Sequence, residues 1–98
     1  MRFRSISGMS IFSQRLSTAR KFRRLSQGEL ARKTRLKQSA ISQFETGRRA
    51  PSFHNLRRLA DALEVSADYL LGRSNSVEMN GSRAASKEFA QFTRQYAL

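Results

Sequence analysis

The sequence predicts an all-α domain built from five short helices. Between residues 12 and 72, apolar residues recur at intervals of three and four, a spacing that places them on one face of an α-helix. β-Branched residues are few, and no segment alternates apolar and polar residues with the period of two that marks a strand. At 98 residues, the chain has the length of one small domain with flanking segments.

The first two helices are predicted on either side of Ser26. The segment Ser26-Gln27-Gly28-Glu29 fits a capping box, in which the serine hydroxyl and the glutamate carboxylate each accept a hydrogen bond from the other residue's backbone N–H. The second helix then ends near Thr34. Five apolar residues form the predicted buried face of the first helix: Phe12, Leu16, Ala19, Phe22 and Leu25.

A third helix is predicted from Gln38 to Glu45, with Ile41 and Phe44 three residues apart on its buried face. Gly47 is placed to end this helix in a left-handed conformation, which glycine adopts without steric penalty. A connection of three residues separates the third helix from the second.

The last two helices are predicted from their serine N-caps, Ser52 and Ser66. The fourth helix follows Pro51-Ser52, and the fifth runs from Ala67 to Leu71, where Gly72 ends it. The inward residues of the fourth helix are predicted to be Leu56, Leu59, Ala60 and Leu63. Four aromatic residues are predicted to lie in the core: Phe22, Phe44, Phe53 and Tyr69.

Two segments flank the predicted domain at residues 12–72. Residues 1–11 are predicted to form a flexible basic arm, and Met1 and Met9 are both candidates for the native start. Residues 73–98 are predicted to form a linker and a C-terminal helix, whose apolar stripe either packs on the domain or forms a dimer contact. The stripe consists of Ala85, Phe89, Phe92 and Tyr96.

The composition favours binding over catalysis. Nineteen Lys and Arg against seven Asp and Glu give a net charge of +12, which favours nucleic acid as a partner and an anionic membrane surface second. Without cysteine and with one histidine, the chain has no thiolate nucleophile and no Cys/His metal site, and no cofactor is expected. Paired carboxylates and a Gly-rich phosphate loop are also missing, so we expect no enzyme. No apolar stretch is long enough for a membrane span or a secretory signal, so the expected location is the cytoplasm.

The second and third helices form a predicted helix-turn-helix, a unit whose second helix can enter the major groove of DNA. Uncharged amides and hydroxyls suit hydrogen bonding to base edges, and cations around them would neutralise phosphates. The polar face of the third helix consists of Gln38, Ser39, Ser42 and Gln43. The surrounding basic residues are Arg20, Arg23, Arg24, Arg32, Lys33, Arg35, Lys37, Arg48 and Arg49.

Several motifs follow one another in an order and spacing typical of a known family. They are SQGELA at residues 26–31, QSAISQFETG at 38–47, PSF at 51–53 and LADALEVSADYLLG at 59–72. Together they resemble the lambda-repressor/Cro (XRE-type) helix-turn-helix family over residues 12–72. The resemblance implies a five-helix domain that binds double-stranded DNA, and a bacterial or phage transcriptional regulator. We expect a homodimeric repressor on a pseudo-palindromic operator, without a small-molecule effector.

The resemblance also implies roles for individual residues. Gln27 is implied to bind a phosphate at the start of the second helix, and Arg20 to pair with Glu45 in a half-buried salt bridge. Base contacts are implied for Gln38, Ser39 and Gln43, and Ser42 joins them on the polar face. Further phosphate contacts are predicted for Arg35, Lys37, Arg48 and Arg49.

Two residues depart from the family pattern. Arg35 occupies a turn position where glycine is usual, and a left-handed conformation costs a non-glycine residue about 1 kcal/mol. We therefore expect a turn of different shape. Lys37 stands where Ser, Thr or Asp commonly caps the next helix. The start of the third helix is therefore the least well defined of the predicted helix boundaries.

Two alternative functions fit the same residues. The scaffold could serve an antitoxin or a restriction-modification controller, which the sequence does not separate from a repressor. A basic protein–protein adaptor that does not bind DNA is the alternative from another class. Such an adaptor should expose apolar residues on the third helix, where this sequence has Gln and Ser.

Overall fold

The structure, a computed structural model, describes residues 3–74, with side chains from residue 11 onward. These residues form five helices and no strand, which confirms the predicted all-α class. None of the helices described there is long and apolar enough to cross a membrane. The predicted C-terminal helix lies outside the described residues. The helices are α1 (Phe3–Phe22), α2 (Gln27–Thr34), α3 (Gln38–Thr46), α4 (Phe53–Leu63) and α5 (Ala67–Leu70).

The first helix begins earlier than its apolar spacing predicts. Its backbone is helical from Phe3, nine residues before Phe12, and so includes most of the segment predicted as an arm. That segment contains no proline and a single glycine, Gly8, so no strong helix breaker separates it from the rest of α1. At its other end α1 stops at Phe22, and Arg24 turns the chain with a positive φ of 59°.

The three predicted serine N-caps are confirmed. The hydroxyls of Ser26, Ser52 and Ser66 accept hydrogen bonds from the backbone N–H three residues later, at 3.0, 3.1 and 3.0 Å. At α2 the capping box is complete, because Glu29 Oε1 accepts a hydrogen bond of 2.8 Å from the Ser26 backbone N–H. The hydrogen bond from the Ser26 backbone N–H, followed by a contribution from the Ser26 side chain, holds the pKa of Glu29 below its ordinary value of 4.5.

One apolar core joins the helices. α3 packs against α1 and α2, α4 packs against α2 and α5, and α5 packs against α1. The buried apolar residues are Leu16, Ala19, Leu30, Ala31, Ala40, Ile41, Phe44, Leu56, Leu59, Ala60, Leu63, Val65, Tyr69 and Leu70.

The aromatic residues predicted for the core divide into two groups. Phe44 and Tyr69 are buried, and Phe22 packs against the core. Phe53 is 72% exposed, so its prediction as a core residue is wrong. Spacing places Phe53 one turn before the buried Leu56, but the core extends along α4 only as far as Leu56. Helical spacing does not indicate where along a helix the core ends.

Candidate nucleic-acid interface

The turn between α2 and α3 has the left-handed geometry for which glycine is usual. Arg35 adopts φ 60° and ψ 36°, so the expectation of a differently shaped turn is wrong. The following Leu36 N–H donates to the Ala31 carbonyl at 2.9 Å, and the Leu36 side chain packs against the core. This packing and hydrogen bonding offset the conformational cost at Arg35.

The C-terminal end of α3 is tied to α1, whereas its N-terminal end has no side-chain cap. The helix starts at the predicted residue although its N-cap, Lys37, makes no side-chain capping bond. It ends at Thr46, one residue later than predicted, where Gly47 turns the chain with φ 79°. The buried Ser13 hydroxyl of α1 donates to the Phe44 carbonyl at 2.8 Å and ties the end of α3 to α1.

The outer face of α3 presents the four predicted polar side chains. Gln38 and Ser39 are exposed, whereas Ser42 and Gln43 are half-buried. Within residues 11–74, none of these four side chains makes a hydrogen bond of its own. The opposite face consists of the buried Ala40, Ile41 and Phe44, so packing fixes which side of α3 faces outward.

Glu45 joins the first three helices. Its carboxylate, with the side chain only 7% exposed, accepts hydrogen bonds from Arg20 Nε at 2.6 Å and from Arg20 Nη2 at 3.1 Å. Glu45 Oε1 also accepts a hydrogen bond of 3.0 Å from Gln27 Nε2. The structure therefore brings Arg20 of α1, Gln27 of α2 and Glu45 of α3 together, and the Gln27 amide keeps one N–H and its oxygen for another partner.

Arg15 of α1 and Arg23, the residue that follows α1, also bind inside the domain. Arg15 Nη1 donates to the Tyr69 carbonyl at 2.8 Å and to the Ser74 carbonyl at 2.9 Å, and its guanidinium lies 4.5 Å from the centre of the Tyr69 ring. Arg23 Nε donates to the Leu63 carbonyl at 2.7 Å, at the end of α4. Sequence reasoning counted Arg23 among the phosphate-neutralising cations and assigned no role to Arg15. The sequence did contain one signal for these internal contacts, because Arg15 and Arg23 are each next to a residue of the apolar stripe of the first helix.

The exposed basic residues of α2, of the turn before α3 and of the loop after α3 have different surroundings from those of Arg15 and Arg23. Within the described part of the chain their side chains form no ion pair, and only Arg49 has a cation–π contact, with its guanidinium 5.8 Å from the centre of the Phe44 ring. These cations are available for an anionic partner. The exposed residues in this group are Arg32, Lys33, Arg35, Lys37, Arg48 and Arg49.

Comparison with known proteins agrees with this geometry. A sequence profile of the helix-turn-helix family matches residues 16–70, more than half of the chain. The chain belongs to the XRE-type helix-turn-helix family. The matched region runs from Leu16 in α1 to Leu70 at the end of α5 and includes the polar face of α3.

Two proteins of similar sequence have regulatory names. An uncharacterised HTH-type transcriptional regulator, YqaE of Bacillus subtilis, is 38% identical over 66% of this chain and 57% of its own length. The cryptic phage CTXphi transcriptional repressor RstR of Vibrio cholerae is 35% identical over 61% of this chain and 54% of its own length. The chain thus spans little more than half the length of these two relatives.

A solved structure shares the family fold. It is the restriction-modification controller protein C.AhdI from Aeromonas hydrophila, 34% identical in sequence, with a TM-score of 0.63. The similarity covers 65% of this chain and 97% of the controller protein. The five-helix arrangement is therefore that of a known helix-turn-helix protein.

Proposed function

We propose that this chain is a sequence-specific, double-stranded DNA-binding transcriptional regulator that acts as a homodimeric repressor. In this proposal α3 enters the major groove. Gln38, Ser39, Ser42 and Gln43 contact base edges, while Gln27, Arg35, Lys37, Arg48 and Arg49 contact phosphates.

The observation that carries the proposal is the outer face of α3. Its four side chains are uncharged, carry both donors and acceptors, and make no hydrogen bonds of their own within the described part of the chain. Glutamine can form a bidentate pair with adenine N6 and N7, and serine can bond several base edges. An adaptor would need an apolar surface here to bind a partner protein, whereas this face of α3 is polar.

The distribution of charge supports the same function. Exposed cations lie in the turn before α3, at Arg35 and Lys37, and in the loop after it, at Arg48 and Arg49. A helix in the major groove has phosphates beyond both of its ends, so cations at these positions can fix its register. Glu45 orients the Gln27 amide at the start of α2, the place where a helix attracts a phosphate.

We expect the chain to bind its operator as a homodimer. One α3 reads about half of an operator, and helix-turn-helix dimers place two such helices about 34 Å apart, on half-sites about 10 bp apart. We therefore expect sequences selected from a random duplex pool to form a pseudo-palindrome with that spacing. Sedimentation should detect two protomers per duplex. An asymmetric single half-site bound by one protomer would contradict the homodimer.

A restriction-modification controller is the second candidate function, favoured by the likeness to C.AhdI over 97% of that protein. The two candidates share the DNA contacts and differ in the genes they regulate. Mapping the selected operator onto the source genome separates them, because a controller should have its site beside restriction and modification genes.

The decisive experiment separates base reading from phosphate binding. Gln38→Ala and Gln43→Ala should each weaken binding to the selected duplex by about 1–3 kcal/mol and leave binding to a scrambled duplex nearly unchanged. Their salt dependence should match that of the unmodified chain. Gln14→Ala, which removes an exposed glutamine of α1, is the matched control and should alter neither duplex.

Arg48→Ala should have a different kind of effect on DNA binding. It should weaken binding to both duplexes alike and reduce the slope of log K against log salt by about 0.9. Arg57→Ala removes an exposed arginine of α4 and is the matched control for loss of charge. If the glutamine variants weakened both duplexes equally, or Arg48→Ala affected only the selected duplex, the assignment of base and phosphate contacts would be wrong.

A further inference from the structure

The first turn of α2 contains a glycine that the backbone does not need. Gly28 is the second residue of α2 and, unlike Gly47 and Gly72, it does not have a positive φ. Glycine inside a helix is less favourable than alanine, because it loses more conformational freedom on folding. The conformation of the α2 backbone therefore does not explain glycine at this position.

The neighbouring helix supplies a reason for the glycine. A Cβ atom added to Gly28 would lie 3.2 Å from Oε1 of Gln38 and 3.8 Å from its Cδ. The shorter distance is tighter than ordinary van der Waals contact, so alanine at this position would displace the Gln38 amide by a few tenths of an ångström. The Gln38 side chain thus lies against the first turn of α2, in a space that exists because residue 28 has no side chain.

We propose that Gly28 is a positioning residue for base recognition, which holds the Gln38 amide in the orientation that reads DNA. This inference rests on the proposed function. A long, exposed glutamine loses rotamer freedom when it binds a base, and a side chain already packed against α2 loses less. Bidentate pairing also depends on the direction of the amide plane, so a small displacement weakens it.

The test is a double-mutant cycle between Gly28→Ala and Gln38→Ala, measured on the selected and scrambled duplexes. Gly28→Ala should lower the preference for the selected duplex by about 3- to 10-fold, part of the about 5- to 150-fold that a good bidentate contact provides. Binding to the scrambled duplex should not change. The melting temperature should stay the same or rise, since alanine favours the helix, so unfolding cannot explain the loss. In the Gln38→Ala background, Gly28→Ala should have no effect on preference.

Three results would overturn the inference: full preference in Gly28→Ala, an equal loss on both duplexes, or a loss that persists without the Gln38 side chain. Failure of the proposed function gives a different result, because the unmodified chain would then prefer no duplex at all. The NMR signals of the Gln38 side-chain N–H₂ report the contact without DNA, and Gly28→Ala should shift them more than the side-chain signals of Gln14.

Discussion

The arginines in and just after α1 and the cations around α3 have the same charge but different surroundings. Arg15, Arg20 and Arg23 direct their guanidinium groups to carbonyl or carboxylate oxygens of α3, α4, α5 and the adjoining segments. Lys37 and Arg48, at the two ends of α3, are exposed and form no ion pair within residues 11–74. One group holds the helices together, and the other is available to a partner.

This difference changes how the net charge of +12 is interpreted. Formal charge counts every arginine equally, whereas a guanidinium that already donates several hydrogen bonds inside the protein has fewer donors left for phosphate. The charge available to DNA is therefore carried by the α2–α3 turn and the loop after α3 more than by α1. Mutations in the two groups should consequently have different effects, on stability in the first and on salt-dependent binding in the second.

The largest expected effect is at the Arg20 and Glu45 pair. Arg20→Ala leaves a carboxylate that is only 7% exposed without its main partner, and Glu45→Ala leaves an arginine that is 13% exposed. Each change should lower the free energy of unfolding by about 1–3 kcal/mol, because a buried charged group loses its hydrogen bonds. The double variant should lose less than the sum of the two, as determined by urea unfolding. Strictly additive losses would show that the contact contributes nothing.

A smaller loss is expected at Arg23, which binds the carbonyls at the end of α4. Arg23→Ala should lower the free energy of unfolding by about 1–2 kcal/mol through loss of charged hydrogen bonds to Leu63 and Glu64. The salt dependence of DNA binding should not change. Lys21→Ala removes a neighbouring exposed cation of α1 and should change stability by less than about 0.5 kcal/mol. Equal effects of the two variants would remove the distinction between bound and free cations at the end of α1.

Arg35 belongs to the exposed group but also determines the shape of the turn. Arg35→Gly should raise the free energy of unfolding by up to about 1 kcal/mol, since glycine adopts the observed φ of 60° without a Cβ clash. That corresponds to a rise in melting temperature of about 4–8 °C for a domain of this size. Binding to all duplexes should weaken at the same time through loss of one cation.

Arg35→Ala separates these two effects. Alanine removes the charge but keeps the Cβ atom, so binding should weaken to the same extent without the gain in melting temperature. If Arg35→Gly bound DNA as tightly as the unmodified chain, Arg35 would not belong to the phosphate-contacting group.

The smallest expected effect is the pH dependence from Glu29. Because its pKa is lowered in the folded state, its ionised form favours folding. That contribution is fully present above about pH 4.5 and is lost as the pH falls through the lower pKa of the folded state. Melting temperatures of the unmodified chain and Glu29→Gln should therefore converge below this range. A difference that stays constant down to pH 2 would exclude a role for the carboxylate charge.

Local features of this fold could be predicted from the sequence alone. The N-caps at Ser26, Ser52 and Ser66 and the left-handed Gly47 depend on residues within three or four positions, so the pattern contains both partners of each interaction. The same holds for the two faces of α3, because the spacing of Ile41 and Phe44 determines which side is buried.

Contacts between distant residues were decided only by the tertiary structure. The acceptors of Arg23 and Arg15 lie 40 and 54 residues away, and no local pattern identifies a helix end that will approach an arginine. The pair of Arg20 and Glu45, 25 residues apart, was implied by the family resemblance and not by any local pattern. The extent of the core is equally non-local, which is why Phe53 was assigned to it incorrectly. The role proposed for Gly28 is also non-local. It depends on the Gln38 side chain, which lies beside Gly28 because α2 packs against α3. Local hydrogen bonding thus determined the helices, whereas packing among them determined which charges remain for a partner.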